Sequence, residues 1–398
     1  MPLLLLVLRG WAVLCFVLLI VASVISLTYS KKSFTLSKRE HLVMAFFVAT
    51  FLSTLLTYAL GSFTIVETTN LVHNLAFLGF VPVFLLVKRN GLLQKAFWYG
   101  IVAGAVISGV TALIEVTILD HPLASGGHHH IVYGDHALLL AMLSLLSFSF
   151  FREKGGYYRL LPFLGLFLGA MASVLSTARG SWIAVPAFLL IITMSFKQLG
   201  SIQTRLIYLA SFVLLAMLAF AIPQTGIKDR INQAISDIHN YRTGLKKSTS
   251  VGLRFEMWRA SKELVAENPI TGIGLRQYQK KIKELVDSSD RYEKAVGQFA
   301  HPHNEYLYAL VERGVIGLFT ILLILFYPMY LFFRFLHENN GSDRAIAIAG
   351  LVITLGYAIF GLSESIFNRP TTANFYTMMM ALLLGSLYSR SAGSARQS

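Results

Sequence analysis

Apolar stretches of roughly 18 residues or more recur from one end of this 398-residue chain to the other, with polar breaks between them. Each is long enough to cross about 30 Å of hydrocarbon as a helix. Inside a bilayer every backbone N–H and C=O must be satisfied by the protein itself, and continuous apolar runs of this length select helices rather than open strands. Composition agrees, since 55% of the residues are hydrophobic, 14% are charged and the mean hydropathy is +0.62, values outside the range of a soluble domain. The expected fold is an all-α polytopic membrane protein.

The first run, Leu3 to about Leu27, exceeds the h-region of a secretory signal and is followed by further spans, so it is expected to be retained. The single cysteine, Cys15, lies inside it, which leaves no intrachain disulfide to form. Spans are predicted at about 3–29, 41–60, 69–87, 93–118, 131–151, 157–175, 181–196, 204–223, 314–334, 345–363 and 371–389, a total of about eleven or twelve. They divide the chain into an N-terminal membrane part (1–223), a large loop with short helices (224–313) and a C-terminal membrane part (314–398).

A net charge of +14 would suit nucleic acid in a soluble protein, but in a membrane protein the placement of Lys and Arg reports topology. Every second loop is basic: Lys31, Lys32, Lys38 and Arg39; Lys88, Arg89 and Lys95; Arg152, Lys154 and Arg159; Lys197 and Arg205; Arg334 and Arg344; Arg390 and Arg396. The positive-inside rule makes these loops cytoplasmic and puts 61–68, 119–130, 176–180, 224–313 and 364–370 outside. The 224–313 loop is itself basic, but long loops translocate largely regardless of charge. A loop that long is usually functional. Within it, Gly252 to about Ala266 reads as an amphipathic helix with Leu253, Met257 and Leu264 near one stripe, ended by Asn268-Pro269, and a second polar helix is expected from roughly Gln277 to Val286.

The unusual residues gather on the external side. In HPHNEYLYALVERGVIG (301–317), Pro302 fits the first position of a helix, which would place His303 in its first turn. The positive end of a helix dipole disfavours imidazolium there, and that suits a proton acceptor; the same residue also suits a plain hydrogen-bonding helix end. His301 and His303, two apart, do not share a helix face, and no third metal ligand stands at an obvious spacing. In STARGSW (176–182), Arg179 sits in a very short connection between spans, where its planar fork can meet phosphate oxygens or snorkel to headgroups. In GLRFEMWRA (252–260), Arg254 and Trp258 are four apart and share a face, with Trp258 suited to an interfacial anchor and Arg254 to an anion, or both to an ordinary interfacial helix.

Three features carry less. GGHHH (126–130) reads as a polar loop at the mouth of a site, because three successive histidines cannot all face one ion. Glu364 and Arg369 pair with each other or support a substrate cavity. The glycines of TGIGL (271–275) read as a turn. Neither a phosphate-binding G-x-x-x-x-G-K-S/T nor a D-x-D occurs, which argues against a nucleotide substrate and against a metal held by closely spaced carboxylates.

STARGSW, GLRFEMW, NPITGIGL and HPHNEYLYALVERGVIGL, in this order with a long external loop before the last, resemble the O-antigen ligase and polymerase family of GT-C type glycosyltransferases. The likeness covers about residues 130 to 370, and IVYGDHALLL (131–140) resembles the span that precedes the first arginine motif. The resemblance implies an enzyme of the bacterial inner membrane with its active site facing the periplasm. It implies transfer of a glycan from undecaprenyl diphosphate to a sugar of lipid A-core, with inversion and without metal or other cofactor. His303 then corresponds to the essential loop histidine, and Arg179 and Arg254 to the diphosphate-binding arginines. His301, Asn304, Trp258, Glu364 and Arg369 are supporting candidates. The implied partners are the lipid-linked donor, the lipid A-core acceptor and membrane lipids, with no nucleic acid.

An O-antigen polymerase or a protein O-oligosaccharyltransferase would share the donor. A secondary transporter, a different class, would use Glu115, Asp135 and His73 as an ion pathway, though no pair of Gly/Pro-broken spans recurs in symmetric halves. A membrane scaffold, the third class, would tolerate substitution of His303 and the arginines.

Overall fold

The computed structural model describes residues 2–29, 35–92, 94–195, 201–203, 205–206, 227–338 and 341–394, and among them the only regular secondary structure is helix. In chain order the α-helices are α1 (Trp11–Thr28), α2 (Lys38–Ala59), α3 (Ile65–Asn74), α4 (Phe80–Asn90), α5 (Gln94–Leu113), α6 (His130–Leu146), α7 (Phe148–Lys154), α8 (Leu161–Leu175), α9 (Val185–Ser195), α10 (Ile227–Thr243), α11 (Ser250–Glu267), α12 (Tyr278–Asp287), α13 (Glu305–Glu338), α14 (Gly341–Phe360) and α15 (Pro370–Ser394).

Seven segments are long and apolar enough to cross a membrane: Trp11–Thr28, Lys38–Ala59, Ile65–Asn90, Gln94–Ile118, Gly156–Leu175, Glu305–His337 and Asp343–Phe360. The pair α6 and α7, bent by 45°, makes an eighth if taken as one broken span. The chain is thus a polytopic membrane protein. Three of the eleven expected spans stand apart. Segment 181–196 contains a shorter apolar helix, Gly180–Thr193. Segment 204–223 lies, but for 205–206, outside the described residues. Segment 371–389 falls in α15, which is long but carries buried Thr372, Asn374, Thr377 and Ser386 among its apolar residues. The first span is also shorter than expected: Gly10, with φ of 77°, interrupts the run, so the helix starts at Trp11 and Arg9 precedes it.

The chain forms two compact units, the first of Met1–Leu52, Val72–Gln198 and Thr320–Ser398, the second of Ser53–Leu71 and Leu199–Phe319. In the first, α6 is buried at 14 of its 17 residues, packed by α5, α8 and α14. A helix buried on nearly every side belongs inside a bundle. Small residues set the approach: a Cβ on Gly109 would come within 2.5 Å of Leu168, and one on Gly169 within 3.0 Å of Ala137 and Ala141, the close helix contact that membranes favour. Several polar residues of this core are internally paired. His136 Nδ1 donates to the Val132 carbonyl (2.9 Å) and Nε2 meets the Tyr357 hydroxyl (2.8 Å). Lys88 pairs with the buried Glu40 and donates to the Thr35 carbonyl (2.8 Å). It therefore ties the end of α4 to the start of α2 as well as marking topology.

The second unit has its own core, in which Met257, Ala260 and Leu264 of α11 pack with Tyr278, Ile282 and Val286 of α12 and with Val296, Tyr308 and Val311. The helix expected over 252–266 is α11, started by Thr249, whose hydroxyl accepts from the Gly252 N–H (3.1 Å). The polar helix expected over 277–286 is α12. Helix α10 is tied to α11 through Glu256, fully buried, which accepts from the Tyr241 hydroxyl (2.8 Å) and pairs with Arg259 (2.9 Å). Burial, and then the Glu256 carboxylate, push the Tyr241 phenol up to about 12.

Candidate active site

Five of the eight singled-out residues lie in the second unit, around the 301–304 loop. The sequence places His303 in the first turn of a helix; the structure does not. Helix α13 begins at Glu305, and the Asn304 side chain caps it by accepting from the Leu307 N–H (2.9 Å). Asparagine is among the best N-cap residues, which is why the helix starts one position after Asn304 rather than at Pro302. His303 lies just before the cap with φ of 49°, an uncommon conformation for a residue with a Cβ. Such strain persists only where the surroundings impose it.

Those surroundings are identifiable. The Trp258 indole donates to the Pro302 carbonyl (2.9 Å) while its ring packs on the core of this unit. Trp258 is therefore an internal strut of this unit. It joins the histidine loop to α11, the helix that carries Arg254 one turn earlier. The rings of His301 and His303 meet edge to face at 4.5 Å between centroids, with Phe299 edge-on to His303 (5.8 Å) and Tyr308 against His301 (6.2 Å). His301 is buried and His303 half-buried.

Sequence reasoning missed the feature that anchors the other end of this segment. Helix α13 is broken at Gly314 (φ 65°, ψ −163°), and the TGIGL turn docks into the break. Ile273 N–H donates to the Val311 carbonyl (2.9 Å), Gly274 N–H to the Glu312 carbonyl (3.2 Å) and Val315 N–H to the Pro269 carbonyl (2.9 Å). The Arg276 N–H donates to the Glu312 carboxylate (2.7 Å). A Cβ on Gly314 would stand 2.1 Å from the Ile270 carbonyl oxygen, and one on Gly272 2.3 Å from Glu312. Only glycine permits this approach of two backbones. Glu67, buried, adds a further tie by accepting from Gln277 (2.9 Å) while closing a capping box with Thr64 at the start of α3. The T-x-x-E spacing at 64–67 was the signal for that box.

The other three residues lie in the first unit. Arg179 opens a short 3-10 run, Arg179–Ala184, after Thr177 at φ of 58°. The turn is seated against the Ser363 turn, for a Cβ on Gly180 would stand 2.3 Å from the Ser363 hydroxyl. Next to Ser363 is Glu364, fully buried, with Arg369 Nη2 at 3.8 Å from its carboxylate. The GGHHH tract is an ordered loop. The Ser125 and Gly126 N–H groups donate to Glu115 (2.6 and 3.0 Å), Arg9 Nε donates to the Gly127 carbonyl, and His130 Nδ1 donates to the Ser176 carbonyl (3.0 Å). Glu115, a candidate in the transport reading, thus holds a loop. Burial first, then Arg9 and Arg369, hold His128 below the usual imidazole range.

A multi-pass helical membrane protein with a strained, internally braced His-Pro-His-Asn loop and arginines on two ordered turns defines the class. A family model described as O-antigen ligase matches residues 164–322, a stretch that contains all four short motifs. An uncharacterized protein of Haemophilus influenzae is 30% identical over 366 residues, 91% of this chain and 90% of that protein. An O-antigen ligase of Escherichia coli K12 is 28% identical over 142 residues, 35% of this chain and 31% of that protein. The chain belongs to the O-antigen ligase family.

Proposed function

We propose that this protein is an O-antigen ligase: an inverting, metal-independent glycosyltransferase of the bacterial inner membrane that moves glycan from undecaprenyl diphosphate to a hydroxyl of lipid A-core. In this reading the 224–313 segment and the turns at 176–180 and 364–370 face the periplasm. Membership of the family supports a ligase- or polymerase-type function in O-antigen processing. The observation that carries the site is the bracing of the His303 loop by Trp258 on the helix of Arg254.

The chemistry follows from the groups. The imidazole of His303 takes the proton of the acceptor hydroxyl as its oxygen attacks the anomeric carbon, and the bond from that carbon to the diphosphate oxygen breaks with inversion. The leaving diphosphate needs stabilised negative charge rather than a proton, and Arg179 and Arg254 supply it bidentately. Asn304 and Trp258 position the histidine, and Glu364 with Arg369 holds the turn beside Arg179.

The test is transfer of undecaprenyl-linked glycan to lipid A-core by purified protein, with and without EDTA. The expected result is glycosylated lipid A-core in both, and none from folded His303→Ala or Arg179→Ala. Elongated lipid-linked glycan without lipid A-core product would make the protein a polymerase instead, and solute uptake into vesicles without either product would make it a transporter.

A further inference from the structure

The GGHHH tract and the first turn of α6 lie against the turn that carries Arg179, and no step of the transfer chemistry above draws on them. Arg179 is the third residue beyond Ser176, the residue that ends α8. The last carbonyls of a helix lack the N–H groups of a following turn, and here each finds a donor. The Ala172 carbonyl accepts from the Ser176 N–H (3.0 Å), the Ser173 carbonyl from the Ser176 hydroxyl (2.7 Å) and the Val174 carbonyl from the Thr177 N–H (3.0 Å). Two more donors come from a distant stretch of chain. Ala124 N–H donates to the Leu175 carbonyl (3.0 Å) and His130 Nδ1 to the Ser176 carbonyl (3.0 Å). The 124–130 stretch therefore closes the end of α8.

What this end holds is strained. Thr177 has φ of 58°, a left-handed conformation that a β-branched residue keeps only where its surroundings impose it. Glycine is the usual residue at that place after a helix. The ties stand on both sides of Thr177. Before it, His130 holds the Ser176 carbonyl; after it, the Ala178 N–H donates to the Ser176 hydroxyl (3.2 Å) and the Ala178 carbonyl accepts from the Ser181 hydroxyl (2.9 Å). Gly134, four residues after His130 and on the same face of α6, lets the turn come close. A Cβ there would stand 2.1 Å from the Ser176 hydroxyl and 2.6 Å from the Ala178 Cβ. The partner also fixes the histidine's role, for a carbonyl oxygen only accepts and Nδ1 must carry the hydrogen.

We propose that His130 is a positioning residue for Arg179: by donating from Nδ1 to the Ser176 carbonyl it holds the strained turn from which the arginine meets the diphosphate. The part played by Arg179 rests on the function proposed above; the tie to the turn does not. His130 acts here through the backbone of 176–179, with no contact to the reacting atoms. Without its hydrogen bond Thr177 can relax to an ordinary conformation, and the backbone of Arg179, two residues on, moves with it.

The test compares full-length wild type in detergent with His130→Asn and His130→Gln. Asparagine carries its amide nitrogen on Cγ, as histidine carries Nδ1, and keeps the donor; glutamine carries it one bond farther out, where Nε2 stands, and loses it. Hydrogen–deuterium exchange reads the turn. His130→Gln should speed exchange in a peptide covering 174–184 roughly fivefold or more, leaving α14 unchanged, while His130→Asn matches wild type. The transfer assay reads the arginine. His130→Gln should lower kcat/KM for the lipid-linked donor roughly tenfold or more with KM for lipid A-core unchanged, and His130→Asn should stay within about threefold of wild type. Equal losses in both variants, or losses that follow a lowered Tm and fall on both substrates alike, would reduce His130 to a helix end and overturn the proposal. Wild type that transfers no glycan while exchange separates Asn from Gln would sink the proposed function and leave the tie standing. Transfer and exchange that ignore both substitutions would do the reverse.

Discussion

The His303 loop and the cavity of the first unit, whose wall comes from four separated stretches between Arg9 and Asn374, differ in how far apart in sequence their parts lie. In the second unit, Trp258, the TGIGL turn, the histidine loop and the Gly314 break fall within some sixty residues of one another, and most of what joins them is backbone: a carbonyl for Trp258, N–H groups of 273, 274 and 315 for the turn. In the first, Arg9, His128 and Arg369 come from opposite ends and the middle of the chain, and what they offer is side-chain charge. Motifs record the first kind of construction, because a glycine or proline that shapes a backbone must stand at a fixed offset from its neighbours. They do not record the second.

The largest effect that would sharpen the contrast is on turnover. His303→Ala should lower glycan transfer by roughly 10²–10⁴-fold, the usual contribution of a positioned base, with little change in thermal unfolding because His303 is half-buried and the cap of α13 comes from Asn304. Residual transfer within tenfold of wild type would make His303 a loop-shaping residue, which its positive φ alone can explain. A pH series of the transfer rate in wild type separates base from scaffold independently of the variant.

Next comes a pair of glycines with similar φ and different neighbours. Gly314→Ala forces a Cβ to 2.1 Å from the Ile270 carbonyl and should destabilise by about 3 kcal/mol or more. Gly10→Ala, at φ of 77° with nothing within 4 Å, meets only the conformational cost of a left-handed residue, about 1 kcal/mol. Tryptophan-fluorescence melts in detergent read both. Equal shifts would mean that the docked turn yields and that the motif is not held by steric fit.

This difference also explains what could be read from the chain beforehand. The helical membrane fold, α11 and α12, and the family were legible because periodicity, Asn268-Pro269 and contiguous motifs are local signals. The break at Gly314 was not, since the apolar run predicted from 314 is continuous in composition and the reason for breaking it is a turn forty residues earlier. His303 was put inside the helix because Pro302 is a good first helical residue; Asn304, a better cap two positions on, decided otherwise. Arg9 was hidden within an apolar run that Gly10 interrupts. The cavity was invisible because four distant stretches share no pattern.

A smaller effect tests whether Trp258 is a strut. Trp258→Phe keeps an aromatic ring in the core and removes the indole donor, leaving the Pro302 carbonyl without it, at about 1 kcal/mol. If Trp258 positions the histidine, transfer should fall several-fold in turnover with little change in apparent donor affinity. A fall in affinity alone would assign the residue to substrate contact.

The smallest effect lies on the exposed surface of the second unit, where charge, not backbone, makes the link. Glu263 accepts from the Tyr292 hydroxyl (2.5 Å) and from two nitrogens of Arg291 (2.9 and 3.1 Å). The Tyr292 hydrogen bond first, then Arg291, hold its carboxyl below the ordinary carboxylate range. A carboxyl whose folded value lies below its unfolded one contributes stability that is complete above the unfolded value, about 4.3, and is lost as pH falls through the folded value. Wild type should therefore melt slightly above Glu263→Gln at pH 7, and the gap should close on acidification below about pH 4. Because the group is largely exposed, salt should shrink the gap as well. A gap that is flat in both pH and salt would mean that the tie is made by Tyr292 as a neutral hydrogen bond and owes nothing to the carboxylate's charge.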